Sequence, residues 1–129
     1  MKAFRVRDPL YDMECDFYIG GTKEQVIQYI DRTYPSIKGQ ITENLLLGTG
    51  KFFSAQFDDG LEFNFIWIKD PKRLDMLVHE IFHLVVFTLT KAGVMLNQSS
   101  GNPSILNDEP FAYLLGFYVR EVFRKLKLL

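Results

Sequence analysis

Near Asp70 the apolar residues of this chain change their period, and that change limits the fold more than any other feature of the sequence. Before it, "FFSAQF", the turn "DDG" and "LEFNFIWI" read as a hairpin with two-residue alternation. After it, "KDPKRLDMLVHEIFHLVVFTLTKAG" places apolar residues at helical spacing, with Asp70 as N-cap, Pro71 at the first helical position and Gly93 as the stop. A strand-rich half followed by a helix-rich half predicts an α+β domain, an antiparallel sheet packed against long helices. In "LEFNFIWI", Leu61, Phe63, Phe65 and Trp67 alternate with polar residues until Ile66 and Ile68 add a second apolar face. That strand is expected to begin half exposed and end covered on both sides.

The remaining elements follow from local signals. "AFRVRD" and "MECDFYI" flank "DPLYD" and predict two more strands. Thr22 caps a helix whose stripe is Val26, Ile27 and Ile30, and Pro35 ends it. "ITENLLLGTG" reads equally as one helical turn or as the lead into a strand. A last helix opens at "NDEPFAYLLG", with Pro110 in its first turn and Phe111, Leu115, Tyr118, Val119, Val122 and Leu126 facing the core. The helices are expected over residues 22–34, 71–92 and 108–126. The Ser/Asn/Gly/Pro-rich stretch "VMLNQSSGNPSILND" reads as a loop.

At 129 residues the chain is expected to form one domain, 1–129, and 47% hydrophobic residues with 12 phenylalanines give it a packed core. A formal net charge of -1 gives no sign of nucleic acid or an anionic membrane as partner. The basic C-terminal "REVFRKLKLL" reads as a solvated helix face. Cys15 is the single cysteine, which excludes an intrachain disulfide and fits a reducing compartment. "MKAFRVRDPLYDMECD" lacks the apolar stretch of a signal peptide, and "IFHLVVFTL" is too short to span a bilayer. The expectation is a soluble, cytoplasmic domain; no oligomeric state follows.

The chemistry-bearing motif is "HEIFH", residues 79–83, which contains both histidines of the chain. On a helical wheel His79 and His83 project roughly 40° apart, so both imidazoles can reach one ion. Apolar residues fill most of the remaining circumference, which predicts a buried helix with His79, Glu80 and His83 as a polar interior strip. Zinc suits such a pair and needs a third protein ligand, leaving a fourth position open. Glu80 is too near His79 in sequence to share the ion easily, but its carboxylate can take a proton from an attacking water and pass it to a leaving amine. The plain alternative is two histidines satisfied by packing. Chance places this string in roughly one chain of this size in several hundred. Asp108 and Glu109 are candidates for the third ligand; Asp108 is better read as an N-cap, and Glu109 falls near the edge of the buried face. Gly116 would let the two long helices approach closely. Tyr113 can stabilise an oxyanion, hydrogen-bond a metal ligand, or be a half-buried aromatic with a wet hydroxyl.

"HEIFH" followed by "NDEPFAYLLG" resembles the minimal zincins, the small HExxH metallopeptidase domains related to the ImmA/IrrE group, and proteins of similar layout are common products of bacteriophages. The resemblance spans about residues 61 to 125. It implies a zinc peptidase with His79, His83 and Glu109 as metal ligands, Glu80 as acid/base, and a protein or peptide substrate. It also implies that the strand "EFNFIWI" lies near the cleft and can pair with an extended substrate. The chain has Phe82 where many such domains have glycine, and a longer spacing from His83 to Glu109. A zincin-like domain kept for structure or protein interaction, with weak or no turnover, is the second functional expectation.

Overall fold

The structure is a computed structural model that describes residues 1–94 and 108–129. The expected loop "NQSSGNPS" lies outside the described residues. In chain order the elements are β1 (Lys2–Arg7), β2 (Glu14–Ile19), α1 (Lys23–Thr33), β3 (Gly50–Gln56), β4 (Glu62–Ile68), α2 (Leu74–Lys91) and α3 (Glu109–Lys125), with 3-10 turns at Pro35–Ile37 and Glu43–Leu45 between α1 and β3. The protein is α+β, and the ambiguous "ITENLLLGTG" supplies a 3-10 turn and then the entry to β3.

Four strands form one sheet in the order β1-β2-β4-β3. The sheet is mixed, not antiparallel: β1 and β2 pair antiparallel, as do β3 and β4, but Asp16–Ile19 runs parallel to Phe65–Ile68. The reason is the connection. The chain leaves β2 through α1 and the 3-10 turns, crosses one face of the sheet, and returns so that β4, not β3, lands beside β2. β4 is therefore interior, with a neighbour on each side, and the strand with an open edge near α2 is β3.

Alternation along the strands sorts two cores. Cys15, Phe17, Ile19, Ile66 and Ile68 pack with α2 and α3, whereas Tyr18, Phe63, Phe65 and Trp67 pack with α1 and the 3-10 turns. As expected, β4 begins exposed at Glu62 and ends buried on both faces. Trp67 is fully buried and donates its indole N–H to the Gly21 carbonyl at 2.8 Å. On the α1 side of the sheet, Arg5 donates to Asp16 at 2.7 Å, and the Tyr34 hydroxyl, which also receives a bond from Arg5, donates to Asp16.

The local helix signals set the start of α1 but not that of α2. Thr22 and Gln25 make a reciprocal capping box at 3.2 and 2.8 Å. Asp70 does not cap α2. Its carboxylate accepts the Lys72 N–H at 2.9 Å and its carbonyl the Arg73 N–H at 3.0 Å, so Asp70 to Arg73 form a turn and the helix starts at Leu74. Gly93 adopts φ +78 and ends α2 as expected. Asp108 holds the N-cap position of α3 without a side-chain cap bond.

Contacts at both ends fix the direction of the long helices. Met76 lies against Gly50 while Lys91 pairs with Glu62, so α2 runs from the Ile68 end of the sheet to the Glu62 end. The Tyr118 hydroxyl donates to Met13 O at 3.1 Å, and Lys2 donates to Lys125 O, so α3 runs the opposite way. Gly116 does not sit between the helices: apart from its own helix backbone and chain neighbours, no atom among the described residues lies within 4 Å of where its Cβ would be, and the residue is exposed.

Candidate metal centre

The helix α2 is not apolar all round in effect. Leu77, Ile81, Leu84, Val85, Thr88 and Leu89 form its buried stripe, and His79, Phe82 and His83 are exposed. His79 and His83 are thus outward rather than interior, and of the expected polar strip Glu80 alone turns partly toward the sheet. The cause is width: two sheet strands and one neighbouring helix cover about half the circumference, and Phe82 is left 49% exposed.

His79 and His83 nevertheless converge. Their Nε2 atoms stand 3.1 Å apart, with ring planes at 77°. With one ring protonated at Nε2 this contact is a hydrogen bond. With both Nε2 unprotonated, the spacing is close to the roughly 3.3 Å that two nitrogens about 2.05 Å from one tetrahedral zinc would have. The pair therefore fits two of the ligand positions of such an ion.

Glu80 is half-buried between α2 and the sheet, and its Oε2 accepts the backbone N–H of Phe52 at 2.7 Å. That N–H belongs to the edge of β3, where no further strand pairs among the described residues. Beside these residues an open cleft of about 530 Å³ is lined by Arg73, Asp75, Met76, His79 and Glu80. Arg73 binds Asp75 through two 2.9 Å hydrogen bonds, and the guanidinium holds this carboxyl down at about 2. Asp75 lies one turn before His79 on the same face, and its charge is taken by Arg73.

Glu109 stands exposed at the start of α3. Because α2 and α3 run antiparallel, that start lies toward the C-terminal end of α2, whereas His79 and His83 lie in and near its N-terminal half. Tyr113 is 51% exposed one turn further along α3. Among the described residues, no three His, Cys, Asp or Glu side chains are gathered as a metal site. The histidines are brought together and Glu80 lies beside them, while Glu109 forms no three-group cluster with the pair. Sequence reasoning missed Phe52, Arg73 and Asp75. The spacing of Asp75 four residues before His79 was a usable signal, but a backbone N–H arriving from a distant strand leaves none.

Among the described residues no helix is long and apolar enough to cross a membrane. Compared with protein-family models, with curated proteins and with solved structures, the chain finds no match in any of the three.

Proposed function

We propose that the protein is a zinc-dependent peptidase whose reacting groups sit on α2, the histidines facing outward and Glu80 against the edge of β3. The observation that carries this reading is the 3.1 Å approach of the His79 and His83 Nε2 atoms next to an acid, Glu80, beside an open cleft. Zinc held by imidazoles supplies Lewis acidity, polarising a carbonyl and making water acidic near neutral pH. The protein's own contributions are then separable. His79 and His83 give two nitrogen ligands from successive turns. Glu80 keeps one oxygen on the Phe52 N–H, which fixes its rotamer, and uses the carboxylate to accept a proton from the attacking water and return it to the leaving amine. Glu109 is retained as the third ligand to be tested, and Tyr113 as the oxyanion donor.

A second reading is a zincin-like domain that binds metal weakly or not at all and serves protein interaction. The position of Glu109 toward the far end of the helix pair favours it, as does the engagement of Glu80 with the sheet.

Metal analysis of protein purified without a nickel column separates the two. The peptidase reading expects one zinc per chain, lost in His79→Ala, His83→Ala and Glu109→Ala. It further expects Glu80→Gln to keep zinc and fold while losing hydrolysis of a verified substrate. Zinc retained in Glu109→Ala removes Glu109 from the site. Absence of zinc at micromolar supply removes the peptidase reading altogether.

A further inference from the structure

The histidine pair lies on the crest of α2. At 100° per residue, the midpoint between His79 and His83 falls about 180° from Ile81, in the middle of the buried stripe. Both imidazoles are exposed, and so is Phe82 beside them. An ion on this crest meets α2 on one side and solvent on the other.

A tetrahedral ion asks for four donors, and the pair gives two. Among the described residues no third His, Cys, Asp or Glu joins them. Residues 95–107 contain none of these four types, so that statement spans every such side chain in the sequence. The two acids of the adjoining cleft are otherwise engaged: Asp75 accepts two 2.9 Å bonds from Arg73, and Glu80 accepts the Phe52 N–H at 2.7 Å.

What does match the pair is a second copy of it. The 3.1 Å separation of the Nε2 atoms is close to one edge of a tetrahedron about zinc, and a two-fold axis exchanges two opposite edges of that tetrahedron. Two chains related by such an axis supply four nitrogens from the same residues on each side. Contact from crest to crest also gives the exposed Phe82 ring an opposing surface.

We propose that His79 and His83 of two copies of this chain share one zinc ion, joining them in a metal-bridged dimer across α2. This rests on the reading of the pair as zinc ligands and adds a control to it. Four imidazoles leave no position for substrate, so the dimer is the resting form and the chain with its own zinc the active one. The bridge has its own dependence on supply. At half an equivalent of zinc each ion serves two chains; in excess, each pair takes its own ion and the copies part.

Sedimentation velocity of the full chain, at a concentration about tenfold above the zinc dissociation constant, reads this directly. The expected series is monomer in EDTA, dimer at half an equivalent of zinc, and monomer again at about tenfold excess. Elemental analysis should show zinc per chain rising from one half to one across the last step. His79→Ala and His83→Ala should each weaken zinc-dependent dimerisation at least tenfold; both side chains are exposed, so the variants keep the fold. A monomer carrying one zinc at every ratio overturns the bridge and leaves the peptidase reading standing. A chain that takes up no zinc overturns both. A dimer that persists in EDTA, in excess zinc or in either alanine variant overturns the bridge by placing the contact elsewhere.

Discussion

Glu80 Oε2 accepts the Phe52 N–H at 2.7 Å, so the acid of the HExxH motif also fastens α2 to the edge of the sheet. One side chain thus carries a structural and a proposed chemical role, and substitutions can separate them. Glu80→Ala removes the acceptor and is expected to cost about 1 kcal/mol in denaturant unfolding, because the bond is charge-assisted but half-exposed. Glu80→Gln keeps an acceptor and should unfold within about 0.5 kcal/mol of the parent. A glutamine variant as destabilised as the alanine one would mean that charge, not the hydrogen bond, holds this contact.

Zinc should stabilise the folded chain through the histidine pair. At free zinc 100-fold above its dissociation constant, mass action predicts about 2.7 kcal/mol of added stability. Thermal unfolding with and without zinc reads this directly. The upward shift in Tm should vanish in His79→Ala and His83→Ala, and a shift of equal size in either variant would place the metal elsewhere.

Tyr118→Phe tests how α3 is held to the sheet. The hydroxyl is buried and donates to Met13 O at 3.1 Å, so its removal leaves that carbonyl with the Asp8 N–H alone. A loss of about 1 kcal/mol is expected. Burial raises the Tyr118 and Tyr18 pKa values well above the usual tyrosine range. Neither phenol should therefore ionise before the protein unfolds. Absorbance titration of tyrosinate checks this, and early ionisation of all 6 tyrosines in folded protein would contradict it.

Tyr34 gives a pH dependence of definite sign. Burial, and then its hydrogen bond to Asp16, push the phenol from its ordinary 10 up to about 12. The unfolded chain therefore releases this proton at lower pH than the folded one. The stability linked to Tyr34 is fully present below about pH 10 and declines as pH rises from about 10 to about 12. Tyr34→Phe should remove this component of the alkaline decline while leaving stability near neutrality reduced by the lost bond. Parallel curves for parent and variant between those pH values would refute the linkage.

What the sequence disclosed depended on how local the cause was. The Thr22 cap, the Gly93 stop and the 79/83 pairing are all set within about one helical turn, and each was legible. The side of α2 that meets the sheet was not, because its wheel is apolar nearly all round. Only the arriving strands decide that Ile81 is buried and Phe82 exposed. The parallel pairing of Asp16–Ile19 with Phe65–Ile68 was also hidden, because either hairpin edge could satisfy the same alternation. Glu109 was legible only from its place in a motif, and where that place falls depends on the course of α3, which no local signal sets.

The sheet joins two hairpins, each able to form from neighbouring residues, through one parallel seam whose partners are some fifty positions apart. Closing that seam requires the intervening chain to be ordered across the sheet face, an entropic cost that local pairing does not meet. Refolding should therefore protect amides of β3 and β4 against their mutual exchange before those of the β2–β4 seam become protected. Pulsed hydrogen exchange resolves the order. Simultaneous protection of all four strands would instead make the crossover, rather than the hairpins, the nucleus from which this protein assembles.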